Sequence, residues 1–204
     1  MSNVPSGTEL ARPLEKKMSA PMLPYVLNTS RLVLRPFEFG DVDDILAYAA
    51  DEEWSRYLSG TPQPYRREDA VQFVARQALT DRAVHPGWAV VHDGTAVGGI
   101  NIRFYYEHVV AEMGWSMHRR LWGRGLATEA AHAVVDAAFG THAQLRRIGA
   151  RADTRNLASH RVMEKIGMRN EGALRQARVS RGECIDEVHC GLLRPEWEER
   201  RRHG

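Results

Sequence analysis

Gly123 and Gly125, two positions apart and flanked by Arg119, Arg120 and Arg124, are the residues of this chain best suited to hold an anion. They follow an alternating run, Glu112-Met113-Gly114-Trp115-Ser116-Met117, and precede an Ala-rich helical pattern that begins at Leu126. A strand therefore gives way to a helix at these glycines. The amides of a helix's first turn lack partners within the helix and carry the positive end of its dipole, and glycines let a phosphate approach the backbone. The expected chemistry is capture of a phosphate-like anion by backbone amides.

The elements that must position this junction can be read in chain order. Arg31-Leu32-Val33-Leu34-Arg35 reads as a first strand closed by Pro36, and Asp41 is placed to cap a helix reaching about Ala50. An acidic and aromatic connector, Asp51 to Gly60, leads to a one-sided helical pattern from Arg67 to about Thr80. His92-Asp93-Gly94-Thr95 joins two apolar runs, Trp88-Ala89-Val90-Val91 and Ala96 to Ile102, as a hairpin. A fourth strand spans about Val109 to Met117, followed by the glycine junction and a helix to about Phe139. Arg147 to Ala152 reads as a fifth strand, and a short helix from Ala158 to Ile166 is capped by Asn156 and ended by Gly167. Two closing strands, about Met168 to Arg175 and Ile185 to Leu193, meet at a turn near Arg181-Gly182. This order predicts an α/β fold, a mixed sheet of about seven strands flanked by about four helices.

Its 204 residues suffice for one domain with its own core. We expect an N-terminal arm over residues 1–28, the domain over 29–195, and a basic tail over 196–204. A formal net charge of +2 gives no electrostatic case for nucleic acid or membrane binding. Cys184 and Cys190 have neither CxxC spacing nor clustered histidines, so packing thiols, no metal site and a cytoplasmic setting are expected.

Arg120-Leu121-Trp122-Gly123-Arg124-Gly125 resembles the Q/R-x-x-G-x-G/A pyrophosphate loop of the GNAT acetyltransferase superfamily. Two further segments agree. Asn156-Leu157-Ala158-Ser159 with Val162 to Met168 resembles a segment of the RimJ/RimL-type ribosomal-protein N-terminal acetyltransferases, and Arg181 to Glu187 resembles that branch's closing hairpin. The likeness spans roughly Thr29 to Pro195. A P-loop NTPase fits poorly, because no Gly-Lys-Ser/Thr follows the glycines.

The resemblance implies acetyl-CoA as donor and co-substrate. Its pyrophosphate would lie on amides from about Arg120 through Leu126, Ala127 and Thr128, with Arg119 nearby, and its pantetheine arm beside the strand ending at Met117. Asn156 would bond that arm. Many superfamily members protonate the leaving thiolate with a Tyr at the position held here by Met163, so the resemblance moves that role to Ser159. Glu171 is the base of the RimL-like reading, and Glu112 matches a strand carboxylate used in other branches; each is equally open to being a structural carboxylate. An α-amine, with a pKa of about 7.7–8.0, is neutral in roughly a tenth of molecules near pH 7 and asks little of a base. The resemblance, through the Ser159 and Glu171 pattern, implies a protein or peptide N-terminus as the acceptor. A small amine such as an aminoglycoside, polyamine or amino-acid analogue, and a non-catalytic CoA sensor, are the alternatives. Trp54, Tyr57, Tyr105 and Tyr106 are candidate pocket walls, and Glu52 and Glu53 candidate attractors of an amine. A homodimer is compatible with the resemblance.

Overall fold

Eight strands form one sheet in the order β1-β2-β3-β4-β5-β6-β8-β7. They are β1 (Leu27–Asn28), β2 (Val33–Arg35), β3 (Gly87–His92), β4 (Thr95–Tyr105), β5 (Val110–Met117), β6 (Arg147–Asp153), β7 (Arg169–Ser180) and β8 (Glu183–Leu193). The helices are α1 (Val42–Ala49), α2 (Glu52–Ser55), α3 (Arg67–Leu79), α4 (Leu126–Thr141), α5 (Leu157–Lys165) and α6 (Arg194–His203). The structure, a computed structural model, describes residues 21–203; residues 1–20 of the expected arm lie outside the described residues.

Alternation along the strands divides the core in two. On β3, Trp88 and Val90 join the cluster beneath α4 and α5, while Ala89 and Val91 face α1 and α3. The Asp93-Gly94 hairpin forms as expected, both residues taking positive φ (50° and 78°), which a two-residue turn of the favoured hand requires. Every strand pairing is antiparallel except β5 with β6, which pair only from Val110↔Arg147 to Glu112↔Gly149. Beyond Glu112 the two strands part. The β5 edge from Met113 to Met117 then faces a gap with backbone polar groups that need partners.

Several expectations change. Among the described residues there are two more helices and one more strand than the periodicity announces: β1 and α2 are too short to show a period, and α6 reads in the sequence as a tail. Leu23 is core, and Trp88 Nε1–H donates to the Tyr25 carbonyl at 3.2 Å, so the domain begins inside the expected arm. The basic tail is the docked helix α6. Its Trp197 stacks on Phe139 with centroids 5.1 Å apart and donates to Asp136 at 2.6 Å. Asp41 does not cap α1 with its side chain. It receives Arg35 through both oxygens, at 2.8 and 2.6 Å, and the Glu38 amide at 2.8 Å.

Candidate active site

The junction after β5 is a short 3-10 turn, Arg119–Leu121, followed by Trp122 and the two glycines. His118 opens this turn, its Nδ1 accepting the Arg120 amide at 3.3 Å. Burial and the neighbouring Arg120 hold its pKa below the usual histidine value. The Trp122 indole N–H donates to the Met117 carbonyl at 2.6 Å and folds the loop back on the strand end. Gly123 and Gly125 both take left-handed φ, 76° and 77°, a conformation costly for residues with a Cβ. A Cβ at Gly123 would meet nothing within 4 Å, and Gly125 is the N-cap of α4 without a side-chain cap. Among the described residues, the amides of Leu126, Ala127 and Thr128 therefore have no side-chain partner. Arg120 and Arg124 are exposed, and neither guanidinium makes an ion pair among the described residues. This is a cradle that fits a pyrophosphate. Arg119 instead pairs with Asp51 at 2.5 Å.

An unexpected clasp fastens the cradle. Glu129, in the first turn of α4, accepts from Thr29 Oγ1 (2.6 Å), Ser30 Oγ (3.0 Å), the Arg31 amide (2.9 Å) and Arg31 Nε (2.6 Å). Arg31 also donates to the Arg124 carbonyl at 3.0 Å. Burial pushes the Glu129 carboxyl up, but these bonds outweigh it and hold its pKa at about 2. Its charge is thus neutralised beside the helix N-terminus. The partners lie about a hundred residues apart, so no local pattern in the sequence signals them.

Where β5 and β6 part, a cleft of about 410 Å³ opens beside Ser116, Asp153, Asn156 and Ser159. Tyr48, Trp54, Tyr57, Tyr65 and Phe73 supply its aromatic wall. Trp54 and Tyr57 fall where expected; Tyr105, Tyr106, Glu52 and Glu53 do not line it. Tyr106 lies in the turn after β4, 80% exposed, and Glu53 pairs with Arg56. The β7–β8 turn reaches α2: Arg181 donates to the Ser55 carbonyl (3.0 Å) and Oγ (2.7 Å), and Gln63 donates to the same Oγ at 2.6 Å.

The expected catalytic residues separate. Asn156 caps α5, its Oδ1 accepting the Ser159 amide at 3.1 Å, and both residues line the cleft. Met163, one turn after Ser159, is buried in the core and does not line the cleft. Glu112 and Glu171 lie outside the cleft wall. Glu112 pairs with Arg151 at 3.0 Å, and both oxygens of Glu171 are taken by Arg147. Gly191 makes room for that second pair, since a Cβ there would collide with the Arg147 guanidinium.

The carboxylate that does line the cleft is Asp153, at the carboxyl end of β6 and 3% exposed. Hydrogen bonds from Arg155 hold its pKa below the usual aspartate value despite burial. Its place as the last polar residue of a strand, just before a capped helix, is a signal the sequence carried. Glu187, opposite Asp153 on β8, is 2% exposed and accepts from Arg178 at 2.6 Å.

Comparison with known proteins agrees with this architecture. Residues 31–169 match the acetyltransferase (GNAT) domain family. An uncharacterized N-acetyltransferase of Bacillus subtilis (strain 168), YnaD, is 31% identical over 174 residues, covering 84% of this chain and 98% of its own. A GNAT-family acetyltransferase of Bacillus anthracis of known structure is 30% identical with a TM-score of 0.74, covering 84% of this chain and 99% of that one. RimL, a ribosomal L7/L12 α-N-protein acetyltransferase solved with coenzyme A, shares the fold at a TM-score of 0.72 and 16% identity, over 84% of this chain and 97% of its own. With a family match over most of its length and a relative of equal extent, this chain belongs to the GNAT family of N-acetyltransferases.

Proposed function

We propose that the protein transfers the acetyl group of acetyl-CoA to an α-amine within a ternary complex. The observation that carries this reading is the continuity of the glycine cradle, the strandless edge of β5 and the aromatic cleft, which meet where β5 and β6 part. The amides from Arg120 to Thr128 would hold the pyrophosphate, with Arg120 and Arg124 adding charge. The β5 edge up to Met117 and the Asn156 side chain would align the pantetheine arm.

The donor supplies its acetyl group as a thioester: the amine nitrogen forms a C–N bond, the C–S bond breaks, and the thiolate takes up a proton as the amine loses one. Ser159, which lines the cleft at the start of α5, would donate to the leaving sulfur. An α-amine is already neutral in part near pH 7, so water suffices to remove its proton, and alignment of the two reactants supplies most of the acceleration. Glu112 and Glu171, committed to arginines, are not needed as bases.

The likeness of the Asn156 to Met168 segment to RimJ/RimL-type enzymes favours a peptide or protein N-terminus. A second reading is a small amino-acid-like acceptor, which a cleft of about 410 Å³ with an aromatic wall suits. Incubation with acetyl-CoA and a panel of peptides and small amines, read by mass spectrometry, tests the proposal. Absence of acetylated product from every amine would refute it.

A further inference from the structure

The acceptor cleft is poor in negative charge. Among the described residues that line it, Asp153 is the one carboxylate, whereas Arg76, Arg151 and Arg178 contribute three guanidiniums. Asp153 is already spent. Its Oδ1 accepts from the Arg155 amide (2.8 Å) and Nε (3.0 Å), and its Oδ2 from the Arg155 terminal nitrogen (2.7 Å). Arg151 and Arg178 are matched from behind by Glu112 at 3.0 Å and Glu187 at 2.6 Å. His85 brings no charge of its own: Nδ1 accepts from Arg103 at 3.1 Å, leaving Nε2–H to donate to Asn101 Oδ1 at 3.2 Å.

Arg76, on α3, is different. Among the described residues its guanidinium has no hydrogen bond or ion pair, and it lines the cleft beside Tyr65 and Phe73. A polyamine or aminoglycoside would bring several ammonium groups to a wall with no uncommitted carboxylate to receive them. A carboxylate, by contrast, would find a planar guanidinium with its donor fork free.

Building on the transferase reading above, we propose that the acceptor is a primary amine carrying its own carboxylate, an amino acid or close analogue with an apolar or aromatic body. Its carboxylate pairs with Arg76, its body packs on Tyr65 and Phe73, and its amine points toward Ser116 and Ser159. The product is the N-acetylated acid and free coenzyme A.

The test compares L-phenylalanine, L-tryptophan and L-methionine with their amides, a short peptide amide, spermidine and kanamycin, for the intact protein and for Arg76→Ala and Arg76→Lys. The free acids are expected to exceed their amides in kcat/KM by roughly 10–100-fold, the range of a charge-assisted bond. Arg76→Ala should erase that preference through KM, while Arg76→Lys keeps part of it; thermal melts establish that each variant is folded. Preferential turnover of spermidine, kanamycin or the peptide amide, or equal losses for acid and amide in Arg76→Ala, overturns the proposal while leaving the transferase intact. Lack of product from every amine overturns both.

Discussion

Glu129→Gln is the sharpest test of how the cofactor cradle is held. The substitution preserves shape but removes the charge that Thr29, Ser30 and Arg31 converge upon. Holding the carboxyl at about 2 against 4.5 for an unperturbed glutamate is worth at most about 3 kcal/mol. The Arg31 side chain is 46% exposed, so water screens the pair and the expected loss at pH 7 is about 1–2 kcal/mol. For a chain of this size that lowers Tm by roughly 3–6 °C. The sign with pH is set by the depressed folded pKa. The wild-type advantage is fully present above the unfolded value of 4.5 and is lost as pH falls toward about 2. Urea denaturation of both proteins from neutral pH down to about pH 3 measures the gap and its closing. Equal stability at pH 7, or a gap that stays constant through the acid range, would refute the clasp as an electrostatic element.

Three other outcomes follow from the site and its surroundings. Ser159→Ala is expected to lower turnover about 10–100-fold while calorimetric affinity for coenzyme A is kept, since the Asn156 cap on its amide is untouched. Glu171→Gln should leave turnover within about threefold, because Arg147 holds that carboxylate away from the cleft; a larger fall in kcat with unchanged Tm would restore it as a base. His142 is 1% exposed, stacks on His108 at 4.6 Å, and has no hydrogen-bond partner at either ring nitrogen among the described residues. Burial, aided by His108, pushes its pKa down to about 4, so folding resists its protonation and stability falls as pH drops from 6.5 toward 4. His142→Leu should flatten that limb of the stability profile, seen in melts across the range.

The cradle was legible because it is local: two glycines, a strand end and a helix start lie within a dozen residues, and each announces itself by spacing. Asn156 and Ser159 were legible for the same reason. Carboxylate roles were not, since the partners of Glu112, Glu171 and Glu129 come from elements 24 to 100 positions away. Pattern reading gives a strand's alternation but not which neighbour lies across it. Trp197 shows the converse error: eight of the ten residues of α6 are polar or charged, and one buried indole decides that the segment docks. Arg76 sits on an ordinary exposed helix position, and only the absence of a guanidinium partner among the described residues sets it apart.

Asp51 ends one side of the molecule and begins the other. One oxygen caps α2 by accepting the Glu53 amide at 3.1 Å, and the other accepts from Arg119 at the entrance to the cradle at 2.5 Å. The helix so fastened carries Trp54, which walls the acceptor cleft, and Ser55, which receives Arg181 and Gln63. Donor and acceptor therefore share a joint. Whatever factor of affinity one substrate lends the other through Asp51 must be returned in equal measure, because a thermodynamic cycle has to close. Asp51 is the place to look for cooperativity between two ligands that never need to touch it.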